Sequence, residues 1–146
     1  MTTTPSSELP TSQWELHPQL AADTVPVGDL PLARLLVNRD ANYPWLVLVP
    51  RRVGATEIID LDDADQRQLF DEIARTARVL KSATGCDKLN IAAIGNVVSQ
   101  LHVHVVARYR TDAAWPRPVW GVVPARVYEP AALESFVAEL RRALGL

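Results

Sequence analysis

Apolar and polar residues alternate most regularly in residues 100–106, which read QLHVHVV. Successive side chains of an extended strand point to opposite faces of a sheet. Gln100, His102 and His104 would therefore share one face, and the apolar residues between them would face a core. The pattern predicts a strand over Leu101–Tyr109 that aims two imidazoles at the same small volume.

Two other segments are almost continuously apolar. Leu32–Arg39 and Trp45–Pro50 are separated by residues 40–44, DANYP, which have the composition of a turn. The short connection predicts an antiparallel hairpin, and the continuous apolar run at 45–50 predicts a strand buried on both faces. Weaker strand signals fall on three further segments: Trp14–Leu16, Leu89–Ile94 and Val119–Val127, the last interrupted by Pro124.

Helical spacing of apolar residues predicts two helices. One spans roughly residues 63–84; Asp62 and Asp63 offer caps at its start, Asp63 and Gln66 resemble a capping box, and Gly85 ends it. The other begins at Pro130. We expect His17 to be a capping or surface histidine at the start of a short helical turn. The element order indicates an α+β fold with an antiparallel sheet of about five strands, a central helix and a C-terminal helix.

Composition adds few constraints. The chain has 146 residues, 48% of them hydrophobic, and a net charge of −2, so one domain is expected, with no nucleic-acid partner and no membrane association. Residues 1–12, rich in Thr, Ser and Pro, are expected to be a disordered leader before a single domain at 13–146. Cys86 is the one cysteine, which is compatible with a reducing, cytoplasmic location.

The paired histidines allow three interpretations. They could be structural residues on a sheet face, or two ligands of a metal site, although no Asp, Glu or Cys nearby in sequence completes such a set. They could also perform nucleophilic catalysis at phosphorus. A neutral imidazole is a competent nucleophile near pH 7 if an acceptor holds its other nitrogen and a neighbouring donor offsets charge on the phosphoryl oxygens. We favour the third interpretation and expect no metal or cofactor.

Three stretches of the chain resemble the histidine triad (HIT) superfamily. Residues 100–106 are similar to its His-x-His-x-His pattern followed by two apolar residues. Leu36–Arg39, Pro44 and the run LVLVP resemble the fragile-histidine-triad branch, and Gly95–Gln100 resembles the approach to the family motif. The likeness spans roughly residues 30–110 and implies the HIT-like fold.

The resemblance implies roles for the histidines. His102 takes the position of the nucleophile that forms a covalent nucleotidyl intermediate, and His104 the position that contacts the scissile phosphate and assists the leaving group. Gln100 replaces the first histidine of the triad and is expected to orient the nucleophile. Trp45 stands where many members have a further histidine. Arg108 is interpreted as either a phosphate contact or a surface or dimer salt bridge.

The resemblance also implies a nucleotide site. Asn38 takes the ribose-binding position, and Asn96 or Ser99 would reach phosphate oxygens. Trp115, in a Trp-Pro segment, resembles the residue that closes the site in the phosphoramidase-like branch, and Trp120 is a second candidate for that role.

The function implied is that of a nucleotide hydrolase or nucleotidyl transferase, which cleaves a phosphoanhydride or phosphoramidate bond through His102. Dinucleoside polyphosphates and nucleoside phosphoramidates are the substrate types, and a homodimer is expected. The alternative is a regulatory nucleotide-binding module with little or no catalysis, because the triad is incomplete.

Overall fold

Five antiparallel strands form one sheet in the computed structural model, which describes residues 13–146. The predicted leader at 1–12 lies outside the described residues. The strands are β1 (Thr24–Asp29), β2 (Ala33–Asn38), β3 (Trp45–Pro50), β4 (Lys88–Ala92) and β5 (Val103–Arg108). Their spatial order is β1-β2-β3-β5-β4, so β5, which contains His104, has a neighbouring strand on each side.

Three α-helices accompany the sheet: α1 (Pro18–Asp23), α2 (Asp63–Thr84) and α3 (Pro130–Leu144), with a 3₁₀ turn at Ile58–Asp60. The predictions of the central helix and of the C-terminal helix are confirmed. Asp62 caps α2 by accepting from the Asp65 N–H at 2.8 Å, and Gly85 ends it with a left-handed φ of 61°. The predicted capping box is wrong, because the Gln66 side chain donates to the Leu61 carbonyl instead.

The sheet separates two apolar clusters. On one face, Leu46 and Leu48 of β3 belong to one apolar cluster with residues of α2 and α3. On the other face, Val47 and Val49 pack with Trp45 and Leu36. Every residue of β3 is buried, as the apolar run predicted. The second face carries the histidines, and in residues 13–146 the short helix α1 packs on it through Leu20.

Three strand predictions need correction. Residues 14–16 form no strand. The sheet instead has β1 as its first strand, which the sequence pattern did not predict. The residues of β1 lack a regular strand pattern, because Pro26 and Gly28 interrupt it and the register with β2 shifts between them. The predicted edge strand at Val119–Val127 is wrong, because only Val127 forms an isolated bridge, with Asp40. Strand β5 begins at Val103, two residues later than predicted.

Within the described part of the chain, no helix combines the length and apolar character needed to cross a membrane.

Candidate active site

The two imidazoles meet at the start of β5. His102 lies just before the strand and His104 within it, and their ring centroids are 4.9 Å apart with the ring planes at 73°. Both residues are buried, with 7% and 8% of their surfaces exposed. Two adjacent buried imidazoles cannot both be charged without strong repulsion, so the chemistry of the pair depends on which nitrogen of each ring carries a proton.

A backbone carbonyl determines the tautomer of His102. The Nδ1 atom lies 2.6 Å from the carbonyl oxygen of Gln100. A carbonyl oxygen only accepts hydrogen bonds, so the proton of the ring must be on Nδ1. The Nε2 atom of a neutral His102 then carries a bare lone pair, as an attacking nitrogen requires.

An indole determines the opposite tautomer of His104. The Trp45 Nε1–H donates to His104 Nδ1 at 3.0 Å. Because an indole N–H only donates, Nδ1 must be unprotonated and the ring proton is on Nε2. Burial, and then the neighbouring His102, lower the pKa of His104 from 6.5 to about 4, so the ring is neutral at pH 7. The pair thus offers one lone pair and one N–H donor.

Sheet geometry brings Trp45 to His104. Strands β3 and β5 are antiparallel neighbours, with Val47 opposite His104 and Trp45 opposite Val106. Trp45 is two residues from Val47 on the same face, so its side chain is a diagonal neighbour of His104. Trp120 approaches the same imidazole at 5.1 Å between ring centroids.

A cleft of about 360 Å³ opens over the two imidazoles. One wall is helix α1, another is formed by β2 and β3, and a third is the loop at 94–98, where Gly95 adopts a positive φ of 66° that favours glycine. The lining includes these polar or aromatic residues: Gln19, Asp23, Thr24, Asn38, Trp45, Asn96, His102, His104 and Trp120.

The residues predicted to bind a nucleotide divide into two groups. Asn38 and Asn96 line the cleft. The Asn38 Oδ1 atom accepts from the Asp40 N–H at 2.9 Å, which leaves its Nδ2–H group for a ligand. Ser99 is exposed and outside the cleft lining, and Trp115 is also outside it. Trp120 is the tryptophan of this loop that reaches the cleft of its own chain.

Gln100 contacts His102 through its backbone rather than its side chain. The side-chain amide accepts from the His17 N–H at 2.8 Å and donates to the Glu15 carbonyl at 2.9 Å. His17 in turn caps α1, because its Nδ1 atom accepts from the Gln19 N–H, in agreement with its predicted role. The Gln100 side chain therefore connects the loop that precedes the histidines with the segment just before α1, the helix that forms one wall of the cleft.

Arg108 forms a salt bridge, as one interpretation predicted, but the ion pair is buried within the chain rather than exposed at the surface. Its side chain is 1% exposed and makes two hydrogen bonds to Asp112, at 2.7 and 3.0 Å, and one to Asn90. The guanidinium also lies over the ring of Trp115 at 5.6 Å. Arg108 is thus part of a buried ion pair that supports the loop after β5, and it does not line the cleft over the histidines.

Two features of the site were not predicted from the sequence: the wall formed by α1 and the contact of Trp45 with His104. Helix α1 contributes Leu20 and Asp23 to the cleft, although it is far from the histidines in sequence. The signals for Trp45 were its place at the start of an apolar strand and its position where many family members have a further histidine. In residues 13–146, no group of three His, Cys, Asp or Glu side chains is arranged to hold a metal ion.

A five-stranded sheet with a paired-histidine cleft defines a domain of the histidine triad type. The HIT domain model matches residues 19–111. The chain belongs to the HIT family, and the fold predicted from its sequence is confirmed.

Three crystal structures show the same similarity over nearly their whole length. A histidine triad protein of Bradyrhizobium japonicum is 58% identical, with a TM-score of 0.88 over 89% of this chain and 97% of that one. One of Sinorhizobium meliloti is 39% identical, with a TM-score of 0.89 over 92% and 99%. One of Marinobacter aquaeolei is 40% identical, with a TM-score of 0.88 over 90% and 96%. No curated protein matches the chain.

Proposed function

We propose that the protein is a nucleotide hydrolase or nucleotidyl transferase that acts through a covalent nucleotidyl-His102 intermediate. Membership in the HIT family supports an activity of the nucleotide-binding or hydrolase type in general. The observation that carries the finer proposal is the opposed pair of tautomers: a bare Nε2 on His102 beside an N–H donor on His104. This is the pairing that attack at phosphorus requires.

The reaction follows from these two atoms. The lone pair of His102 Nε2 forms a nitrogen–phosphorus bond while the bond from phosphorus to the leaving atom breaks, and the leaving atom keeps that electron pair. The His104 Nε2–H donates a hydrogen bond to an oxygen on phosphorus, where charge develops. The oxygen of water, or of an acceptor alcohol, then forms a bond to phosphorus as the nitrogen–phosphorus bond breaks; His102 leaves as the neutral imidazole and the proton of the attacking hydroxyl passes to solvent. Asn38 and Asn96 are proposed to contact the ribose and the phosphate, since both line the cleft.

Trapping the intermediate tests the proposal. The protein is mixed with diadenosine tetraphosphate or adenosine phosphoramidate, quenched in acid-free denaturant, and analysed by mass spectrometry. We expect an added adenylate on His102 and release of AMP, both lost in His102→Ala. Arg67→Ala, on the exposed face of α2 beyond the opposite side of the sheet, should retain both. Turnover by His102→Ala would refute the mechanism.

A binding module without turnover is the second candidate. It is favoured by one observation: the side chain at the first triad position, Gln100, is engaged by the backbone of Glu15 and His17 rather than by the site. Calorimetry with AMP separates the two functions. Nucleotide binding with neither turnover nor a covalent adduct would support the module.

We also propose a cytoplasmic homodimer. Strand β4 is at the edge of the sheet, where Ile91 within the strand is 49% exposed and Ile94, two residues after it, is 44% exposed. Such an edge favours pairing with a second copy. Sedimentation analysis should give a dimer, and Ile91→Asp should shift it towards monomer; a wild-type monomer at micromolar concentration would contradict the proposal.

A further inference from the structure

The hydrogen bond from Trp45 limits what His104 can do for a leaving group. The indole N–H points at Nδ1 of His104, 3.0 Å away, and an indole nitrogen has no lone pair with which to accept. The single proton of the neutral imidazole is therefore on Nε2. His104 can donate a hydrogen bond from this atom, but its Nδ1 position is closed to a second proton.

The arrangement is held from several sides. Trp45 and His104 are buried, with 6% and 8% of their surfaces exposed. The Trp45 indole meets Tyr43 edge to face, with ring centroids 6.3 Å apart, and Trp120 at 5.6 Å. A rotation of the His104 ring would break the indole hydrogen bond and leave a buried donor without an acceptor, which is unfavourable.

The two substrate types differ in what they need from this residue. When a phosphoanhydride is cleaved, the leaving phosphate oxygen keeps the electron pair and departs as a stable anion. When a phosphoramidate is cleaved, the leaving amine nitrogen must take a proton as the phosphorus–nitrogen bond breaks. A neutral His104 that gave up its Nε2 proton would become an imidazolide anion, a state far too basic to form at neutral pH.

We propose that Trp45 is a positioning residue that fixes His104 as a hydrogen-bond donor, and that the site thereby selects phosphoanhydride over phosphoramidate substrates. The inference rests on the proposed function, because it requires attack by His102 on a nucleotide phosphorus. The lowered pKa of His104 agrees with it, since protonation to the imidazolium, which could supply a proton, is unfavourable near pH 7. Of the residues that line the cleft in the described chain, His102 and Asp23 are the other titratable groups.

The test compares two leaving groups on one adenylate: diadenosine tetraphosphate and adenosine phosphoramidate. We expect the wild type to favour the anhydride in kcat/KM by about a hundredfold, the lower range of what a positioned proton donor contributes. In Trp45→Phe, Nδ1 of His104 loses the donor that favours the neutral ring, so protonation becomes easier although the ring stays buried, and the preference should fall by about tenfold. Trp120→Phe is the matched control: it removes the other indole beside His104 but keeps the hydrogen bond, so the ratio should persist.

Equal efficiency of the wild type on the two substrates, or an unchanged ratio in Trp45→Phe, would overturn the inference. If the wild type cleaves neither substrate, the proposed function fails and the selectivity proposal fails with it. The role of Trp45 is then decided by ¹⁵N NMR of His104. Its proton should be on Nε2 in the wild type and in Trp120→Phe, and should redistribute in Trp45→Phe, whereas a proton on Nδ1 in the wild type would refute that role.

Discussion

His102 and His104 are the same type of residue, two positions apart, with ring centroids separated by 4.9 Å. Their partners are opposite in character: a carbonyl oxygen that only accepts faces Nδ1 of His102, and an indole N–H that only donates faces Nδ1 of His104. The neighbours therefore give the same type of side chain two different functions: Nε2 of His102 has a bare lone pair, and Nε2 of His104 is an N–H donor. A third histidine is not needed for this division.

The largest difference between the two histidines is expected in the rate. His102→Ala removes the nucleophile and should lower kcat by about 10⁴-fold or more. His104→Ala removes one donor to the phosphoryl oxygens and should lower it by about 10²–10³-fold. Single-turnover measurements with diadenosine tetraphosphate give both values, and equal losses would mean that the two residues act in one role.

The next effect is a pH dependence of stability caused by His104. Its pKa is lowered from 6.5 to about 4 by burial and by His102. Between these values the unfolded chain binds a proton that the folded chain does not. The free energy of unfolding should therefore fall as the pH drops through this window, by about 3 kcal/mol once the pH is below 4. Denaturant titrations at pH 7 and pH 4 measure the loss.

The variant His104→Gln isolates this contribution, since its side-chain oxygen can still accept from the Trp45 indole but does not titrate there. Its stability should fall by about 3 kcal/mol less over the same window. Arg34 is the chief cause that lowers the pKa of Asp29, whereas for Asp112 burial is the largest influence and acts to raise the pKa, but hydrogen bonds from Arg108 and two backbone N–H groups lower it overall. Protonation of these two carboxylates lowers the free energy of unfolding at lower pH equally in both proteins. Parallel losses in wild type and variant would contradict the assignment.

The smallest effect is expected at Gln100. Its side chain makes two hydrogen bonds to the segment before α1, while its backbone carbonyl holds His102. Gln100→Ala should cost about 1–2 kcal/mol of stability from those two bonds and leave the His102 tautomer unchanged. Gln100→His should not raise turnover, because it breaks the same anchor. A sharp rise in turnover would show that the missing histidine limits the enzyme.

The sequence predicted what depends on local pattern. Helix α2 and strand β3 have the bounds expected from their spacing, and the alternation at 100–106 brought His102 and His104 together. What it could not supply was the identity of each neighbour. Trp45 and His104 are 59 positions apart, and their contact depends on the pairing of β3 with β5 in one register. No single segment of the sequence specifies the order of the strands.

Helix α1 and Gln100 illustrate the same limit. The wall that α1 provides is fixed by hydrogen bonds between residues 83 and 85 positions apart. Gln100 was expected on the face of the histidines because alternation was extended past the true start of β5. The strand begins at Val103, so the side chain of Gln100 is free to turn towards the segment before α1.

The proposed mechanism depends on the tautomers of His102 and His104. ¹⁵N NMR of the protein labelled at its histidine rings measures these tautomers directly. At pH 7 we predict that His102 carries its proton on Nδ1 and His104 carries its proton on Nε2, with His104 remaining neutral down to about pH 4. His17, which is on the protein surface, provides a reference signal. The same tautomer on both residues, or a charged His104 at pH 6, would contradict the account.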